Sequence, residues 1–146
     1  MAAVSLLERP MKKARPLDVA IAIIGQEGQY LITQRLPADS FGGFWEFPGG
    51  KLNEGETFES CLIREIQEEL GIKISVNSKL LVSEYAYPGR VIRLHCFLCT
   101  LLSGEPKTLE CAQWRWVASH ELGKFQFPPA SGTIIQALQE KKSGAP

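Results

Sequence analysis

Three glutamates crowded onto one helical surface constrain this chain more than anything else in it. From Gly50 to Ile72 the sequence reads GKLNEGETFESCLIREIQEELGI. Phe58, Leu62, Ile66 and Leu70 recur four residues apart, the spacing of an amphipathic helix. Thr57 is placed to cap its start and Gly71 to end it. At about 100° per residue, Glu65, Glu68 and Glu69 fall within one arc of roughly 100° beside the apolar stripe. Left alone, that arrangement is unfavourable. Like charges at i,i+3 and i,i+4 cost about 0.2–0.5 kcal/mol per pair, and acids in the C-terminal half of a helix oppose its dipole. A hard divalent cation reverses the sign of both terms, because Mg²⁺ is held by carboxylate oxygens, water and substrate phosphate. Taken by itself, the segment REIQEELG also suits a solvated helix face, the commoner fate of a glutamate-rich helix.

The rest of the chain narrows the classes open to it. A length of 146 residues suits one domain that buries about two-thirds of its unfolded surface. Lys plus Arg equals Asp plus Glu at 16 each, which argues against a broad electrostatic grip on a nucleic-acid polymer. A small phosphorylated ligand held by a metal and one or two arginines remains compatible. No apolar stretch has the length of a membrane span, and MAAVSLLERP lacks a signal-peptide core. Residues 1–16 read as a loose extension, with Met11 an alternative beginning of the folded part. The domain is expected over 17–142, with 143–146 as a tail. Four cysteines, Cys61, Cys96, Cys99 and Cys111, fit reduced, mostly packed thiols in a cytoplasmic protein. Cys96 and Cys99 resemble a CxxC pair, but three residues apart in a strand they face opposite sides. His95 has no second histidine near it in sequence and reads as a packing residue.

Periodicity and turn residues predict the elements. Leu17–Ile24 is a buried strand, Gly25–Gly28 a turn and Tyr30–Arg35 its hairpin partner. Pro37–Gly43 is a loop, followed by the aromatic run Phe44–Phe47 and the sharp Pro48–Gly49–Gly50 bend. After the helix at 57–70, strands are predicted over Ile72–Val76, Leu80–Tyr87, Val91–Leu102 and Cys111–Val117. The turn Tyr87–Pro88–Gly89–Arg90 makes 80–102 a second hairpin. One helical turn over Ala118–Leu122 and a last helix from Ser131 to about Lys142 complete a mixed α/β domain.

Gly50, Glu56, Arg64, Glu65, Ile66, Glu68, Glu69, Gly71 and Ile72 match every fixed position of the Nudix box, G-x5-E-x7-R-E-U-x-E-E-x-G-U, where U is aliphatic. At ordinary residue frequencies a chance match is on the order of one in a hundred million. The chain resembles a Nudix hydrolase, and most closely the MutT type, the nucleoside triphosphate pyrophosphohydrolases that clear oxidised nucleotides such as 8-oxo-dGTP. The likeness spans Leu17 to Leu138 and includes Thr33-Gln34-Arg35, Trp45 to Lys51, Pro88-Gly89-Arg90 and Phe127 to Ala130.

That resemblance implies an α/β/α sandwich with a mixed sheet between helices, and Mg²⁺-dependent (or Mn²⁺-dependent) release of pyrophosphate from a nucleotide. It places metal on Glu65, Glu68, Glu69 and the Gly49 carbonyl. Arg64 would orient the glutamates, with Gly50 and Glu56 supporting the box. For Arg64, a plain i,i+4 pair with Glu68 is the simpler account and suits the same role. The general base is either Glu65 or a carboxylate outside the box, Glu110, which otherwise reads as a surface loop acid. Arg35 is expected against phosphate or base, and Phe47 and Arg90 at the border of the nucleotide pocket. The 127–131 loop is expected at the base edge. Core packing is the alternative for Phe47 and Phe127, as is solvent exposure for Arg35 and Arg90. The partner is a small nucleotide, with no polymer and no membrane, bound by a monomer or homodimer.

One position departs from the pattern. The MutT type carries Asn after Phe-Pro-Pro-Ala, and this chain carries Ser131. A hydroxyl cannot reproduce the paired donor and acceptor of an amide. Relatives acting on cytosine nucleotides also lack that Asn, so CTP-like or modified pyrimidine nucleotides compete with oxidised guanine. Alternatively, Ser131 only caps the last helix. A non-catalytic nucleotide- or protein-binding module on the same fold is the reading from another class, and the intact box speaks against it.

Overall fold

The first strand, β1 (Leu17–Gln26), is the spine of the molecule. Ala20, Ala22, Ile23 and Ile24 are fully buried, so both of its faces are covered, the pattern of a strand in a parallel arrangement sandwiched by helices. The computed structural model describes residues 15–144. Met11 and the rest of the expected N-terminal extension before Arg15 lie outside the described residues, as do the last two of the chain.

Around β1 the elements run β2 (Gln29–Gln34), β3 (Trp45–Glu46), β4 (Gly49–Lys51), helix α1 (Phe58–Leu70), β5 (Lys73–Tyr87), β6 (Arg90–Ser103), β7 (Gln113–Ala118), two 3₁₀ turns and helix α2 (Gly132–Gly144). The main strand order is β3-β2-β1-β6-β5, with β4 beside β1 and β7 beside β2. β1 and β6 are parallel from Leu17↔Ile92 to Ile24↔Cys99, and β5 and β6 are antiparallel throughout. The sheet is therefore mixed, as the resemblance implied.

Alternation along β1 splits the core in two. Ala20, Ala22 and Ile24 face Cys61, Leu62, Ile66 and Leu70 of α1. Ile21 and Ile23 face Ile134 and Leu138 of α2. Cys99 belongs to the first layer and Cys96 to the second, so the CxxC thiols do point to opposite sides. All four cysteines are free and buried.

Two element predictions need correction. The expected hairpin of the first two strands exists only at its tip, Gly25↔Tyr30 and Gln26↔Gln29. Beyond the tip β1 has no free edge, because β4 pairs with Val19, Ala20 and Ile21 on one side and β6 on the other. β2 turns away to pair with β3 and β7. The two strands expected over 72–76 and 80–87 are one strand, β5, with irregular register between Val76 and Ser78 and between Lys79 and Leu81. Polar Asn77 breaks the apolar pattern without ending the strand, because Thr100 on β6 donates its hydroxyl to the Asn77 amide oxygen at 2.7 Å.

Candidate active site

Helix α1 begins as the sequence predicts. The Thr57 hydroxyl accepts the Ser60 amide at 3.0 Å, and the Ser60 hydroxyl accepts the Thr57 amide at 3.1 Å, forming a capping box. It ends at Gly71 (φ 68°), whose amide donates to the Gln67 carbonyl. The carbonyls of its last turn then receive a strap from the loop before β7. Lys107 donates its amide to Leu70 O, and Leu109 and Glu110 donate theirs to Glu69 O. This strap carries Glu110 beside Glu69.

β4 lies flat against β1. A Cβ at Gly49 would stand 2.0 Å from the Ala20 carbonyl oxygen, and one at Gly50 would stand 2.3 Å from the Glu65 carboxyl carbon. Only glycines let backbone approach this closely, so the bend brings its own chain against the Glu65 carboxylate.

Arg64 ties the glutamates together. Its Nε and Nη2 grip Glu56 through two hydrogen bonds, 2.6 and 2.9 Å, and Nη1 reaches Glu65 and Glu68, both at 3.2 Å. Nη2 also donates to the Lys51 carbonyl at 3.4 Å. The i,i+4 pair with Glu68 and the orienting contact with Glu65 thus coexist. The bidentate hydrogen bond from Arg64, helped by the Asn53 amide, holds the Glu56 carboxyl down to about 2. The same bond raises Arg64 further above its usual value.

Glu69 behaves in the opposite way. Burial first, then a hydrogen bond with Glu65 and the charges of Glu46, Glu65 and Glu110, push its carboxyl far up. Carboxylates crowded so that their neighbours raise Glu69 mark the cluster as a candidate functional site. Among the described residues no three His, Cys, Asp or Glu side chains already form an ion cage. The donor set nevertheless fits a hard divalent ion: oxygen-bearing carboxylates beside a half-buried glycine-rich backbone turn, with room in front of them.

That room is a cleft of about 710 Å³ lined by Glu46, Gly49, Gly50, Lys51, Glu65, Glu69, Glu110 and Cys111, among others. It opens onto a more apolar recess of about 420 Å³ bordered by Phe41, Tyr87, Arg90, Ala130 and Ser131. Arg35, Ser40, Glu46 and Phe47 line both. The geometry therefore gathers Arg35, Phe47, Gly49, Gly50, Glu65, Glu69, Arg90, Glu110 and Ser131 around one continuous hollow. It leaves Glu68 outside. That carboxylate is half-exposed and turned to Arg64.

Arg35 is not a free strand arginine. Its Nη1 meets Glu46 at 3.0 Å and its Nε donates to the Ser40 carbonyl at 2.6 Å. Phe47 is 2% exposed and stacks on Phe127, so Phe127 packs behind the wall while Phe47 forms it. Ser131 ends a 3₁₀ turn, Pro129–Ser131, and is buried at the recess. The same turn is held by the Tyr87 hydroxyl, which accepts the Ala130 amide at 3.3 Å. His95 is buried, bonded through Nε2 to Asp18 at 2.8 Å and stacked on Phe58, which agrees with a packing role.

Sequence reasoning missed Glu46, Lys51, Cys111, Tyr87 and Phe41 in this hollow. For Glu46 a signal existed: it is the one acid inside the aromatic run Phe44–Phe47. A charge embedded among large apolar side chains is rarely left there without a partner or a task. Burial raises its carboxyl while Arg35 lowers it.

Comparison with known proteins finds clear relatives. The NUDIX domain model matches residues 19–137. The chain is 40% identical over 124 residues to the 8-oxo-dGTP diphosphatase of Haemophilus influenzae, covering 84% of this chain and 90% of that protein. It is 29% identical over 130 residues to the CTP pyrophosphohydrolase of Escherichia coli, covering 89% and 96%. The solution structure of the E. coli ORF135 protein superposes with a TM-score of 0.79 at 28% identity, over 92% of this chain and 96% of that one.

Proposed function

The chain belongs to the NUDIX domain family, and from that premise we propose that it hydrolyses nucleoside triphosphates to monophosphate and pyrophosphate with Mg²⁺, preferring oxidised nucleotides such as 8-oxo-dGTP. It is a hydrolase of phosphoanhydride bonds, of a family that works with divalent cations. The observation that carries the reading is the continuous hollow, with a carboxylate-lined end at Glu65, Glu69 and Glu110 and an apolar end at Phe47, Ala130 and Ser131. A triphosphate with a base attached needs both.

Glu65 and Glu69 would hold the ion with the Gly49 carbonyl, and Glu68 would complete the set after leaving Arg64. When bound, the divalent ion neutralises charge on the phosphates and acidifies a coordinated water. Arg64, fixed by Glu56, keeps the Glu65 carboxylate aimed at the bend. Arg35 and Lys51 add positive charge along the path of the phosphates. The proton of the attacking water goes to a carboxylate oxygen of either Glu65 or Glu110; the place of both residues on the cleft wall supports this reading.

A second reading rests on Ser131. At the apolar end this side chain replaces the amide that pairs with an oxidised guanine, and one relative acts on CTP. CTP-like or modified pyrimidine triphosphates are therefore the competing substrates. A steady-state screen of canonical, oxidised and methylated triphosphates with Mg²⁺ tests both. The expected result is the highest kcat/KM on 8-oxo-dGTP. A clear lead for cytosine nucleotides would replace the first reading with the second, and no turnover of any triphosphate would reject both.

A further inference from the structure

We propose that Phe41 is the aromatic wall on which the nucleobase stacks, and so a determinant of how tightly this enzyme holds nucleotides. The inference rests on the nucleotide reading above. Phe41 lines the apolar recess, yet it is 41% exposed, whereas Phe47, which also lines it, is 2% exposed. Its backbone adopts φ 56°, a region that bulky residues avoid and glycine or asparagine occupies readily. A large exposed apolar ring on a backbone that does not suit it has little to gain from folding alone, and such outliers gather where a ligand is clamped.

The loop holds it in that position. Phe44 donates its amide to the Phe41 carbonyl at 3.0 Å, Arg35 and Phe44 share a backbone bond at 2.8 Å, and Gly43 donates to the Arg35 carbonyl at 3.1 Å. The Arg35 side chain grips the neighbouring Ser40 carbonyl. The arginine at the junction of the two ends of the hollow therefore also anchors the loop that presents the ring. Phe44 and Tyr87 meet Phe41 at interplanar angles of 66° and 57°. Among the described residues no ring lies flat on it. The other two aromatics of the recess are already engaged, Phe47 on Phe127 and the Tyr87 hydroxyl on the Ala130 amide. Phe41 makes edge and tilted contacts but no stack in a mainly apolar recess, which suits the π-face of any base rather than a particular hydrogen-bonding edge. Base identity is then left to polar groups at the rim, while Phe41 separates nucleotides from base-free phosphates.

The test compares wild type, Phe41→Gly, Phe41→Leu and Phe41→Trp. Substrates are the best triphosphate from the screen and 2-deoxyribose 5-triphosphate, which lacks a base. Melting temperature is measured alongside. Phe41→Gly is expected to raise KM for the nucleotide about tenfold relative to KM for the base-free compound, the scale of one lost stack. The effect should fall on KM more than kcat. Its melting temperature should hold or rise, because glycine accepts the positive φ. Phe41→Trp should bind at least as tightly as wild type, and Phe41→Leu should resemble glycine in KM. An unchanged nucleotide KM in Phe41→Gly overturns the inference, as does an equal rise for both substrates. A folding role would show itself as a lowered melting temperature with leucine rescuing KM. If wild type itself neither hydrolyses nor binds any nucleotide, the nucleotide reading falls and takes this inference with it. Wild-type turnover with an indifferent Phe41→Gly overturns this inference alone.

Discussion

Arg64 shows how one side chain settles the positions of several acids. It spends two donors on Glu56 and shares a third between Glu65 and Glu68. Replacing Glu56 by Gln should therefore lower activity without touching the proposed metal ligands. It should also remove a pH-dependent part of stability. The folded carboxyl of Glu56 sits near 2 against 4.5 for the free group. A depressed folded value stabilises above the unfolded value and is lost as pH falls through the folded one. The stability difference between wild type and Glu56→Gln, read from urea unfolding, should be full at pH 5 to 6 and shrink steadily toward pH 2. The three helix glutamates should not be equivalent. Glu65→Gln or Glu69→Gln should lower Mg²⁺-dependent kcat by a factor of about 100 or more, as removal of a metal ligand does. Glu68→Gln, whose carboxylate must first leave Arg64 to reach the ion, should cost less, about 10–100-fold. Equal losses at all three positions would place Glu68 among the ligands from the start.

At the scale of elements, the β4 bend and α1 form one unit. Gly50 leaves no room for a Cβ because the Glu65 carboxylate fills that space. Gly50→Ala should displace the carboxylate or the bend and cost about 1–3 kcal/mol, the usual range for overpacking, with a larger proportional loss in activity. Urea titration and a steady-state assay on the same preparation would separate the two effects. Both ends of α1 are finished by neighbours: the Thr57–Ser60 box at the start, and the amides of Lys107, Leu109 and Glu110 at the finish. Thr57→Ala should cost about 1 kcal/mol, typical of a lost cap, with little effect on KM. The C-terminal strap has more functional weight, since its amides bring Glu110 to Glu69 across the β5–β6 hairpin that separates them in the chain.

For the molecule as a whole, the two core layers are joined by β1, whose alternate residues face α1 and α2. The acids proposed to hold the ion, Glu65, Glu68 and Glu69, sit on the helix of one layer, and Ser131 sits at the head of the helix of the other. The hollow lies over Val19 and Ile21 of β1 and Ile92 of β6, which line both of its parts. Ligand binding should thus stabilise the whole fold. With Mg²⁺ at a hundred times its Kd, linkage predicts about 2.7 kcal/mol of added stability, and chelation should remove it. Glu65→Gln should lose that gain. A melting temperature in wild type that ignores Mg²⁺ would contradict the proposed ion site.

The box, the capping threonine, the terminating glycine and the four-residue stripe were legible in the chain because they are local: each depends on spacing within one helix. Opposed faces for Cys96 and Cys99 followed from strand pleat alone. What the chain could not disclose is which strands share an edge. β1 and β2 look like a full hairpin, yet β4 and β6 compete for the same backbone groups and win everywhere except the tip. The long-range pairings that decide this set Ala20 beside both Gly50 of β4 and His95 of β6, residues far along the chain, and no periodicity records them. The same long-range placement brings Glu46, Glu110 and Phe41 to one hollow. Their roles come from neighbours supplied by distant segments.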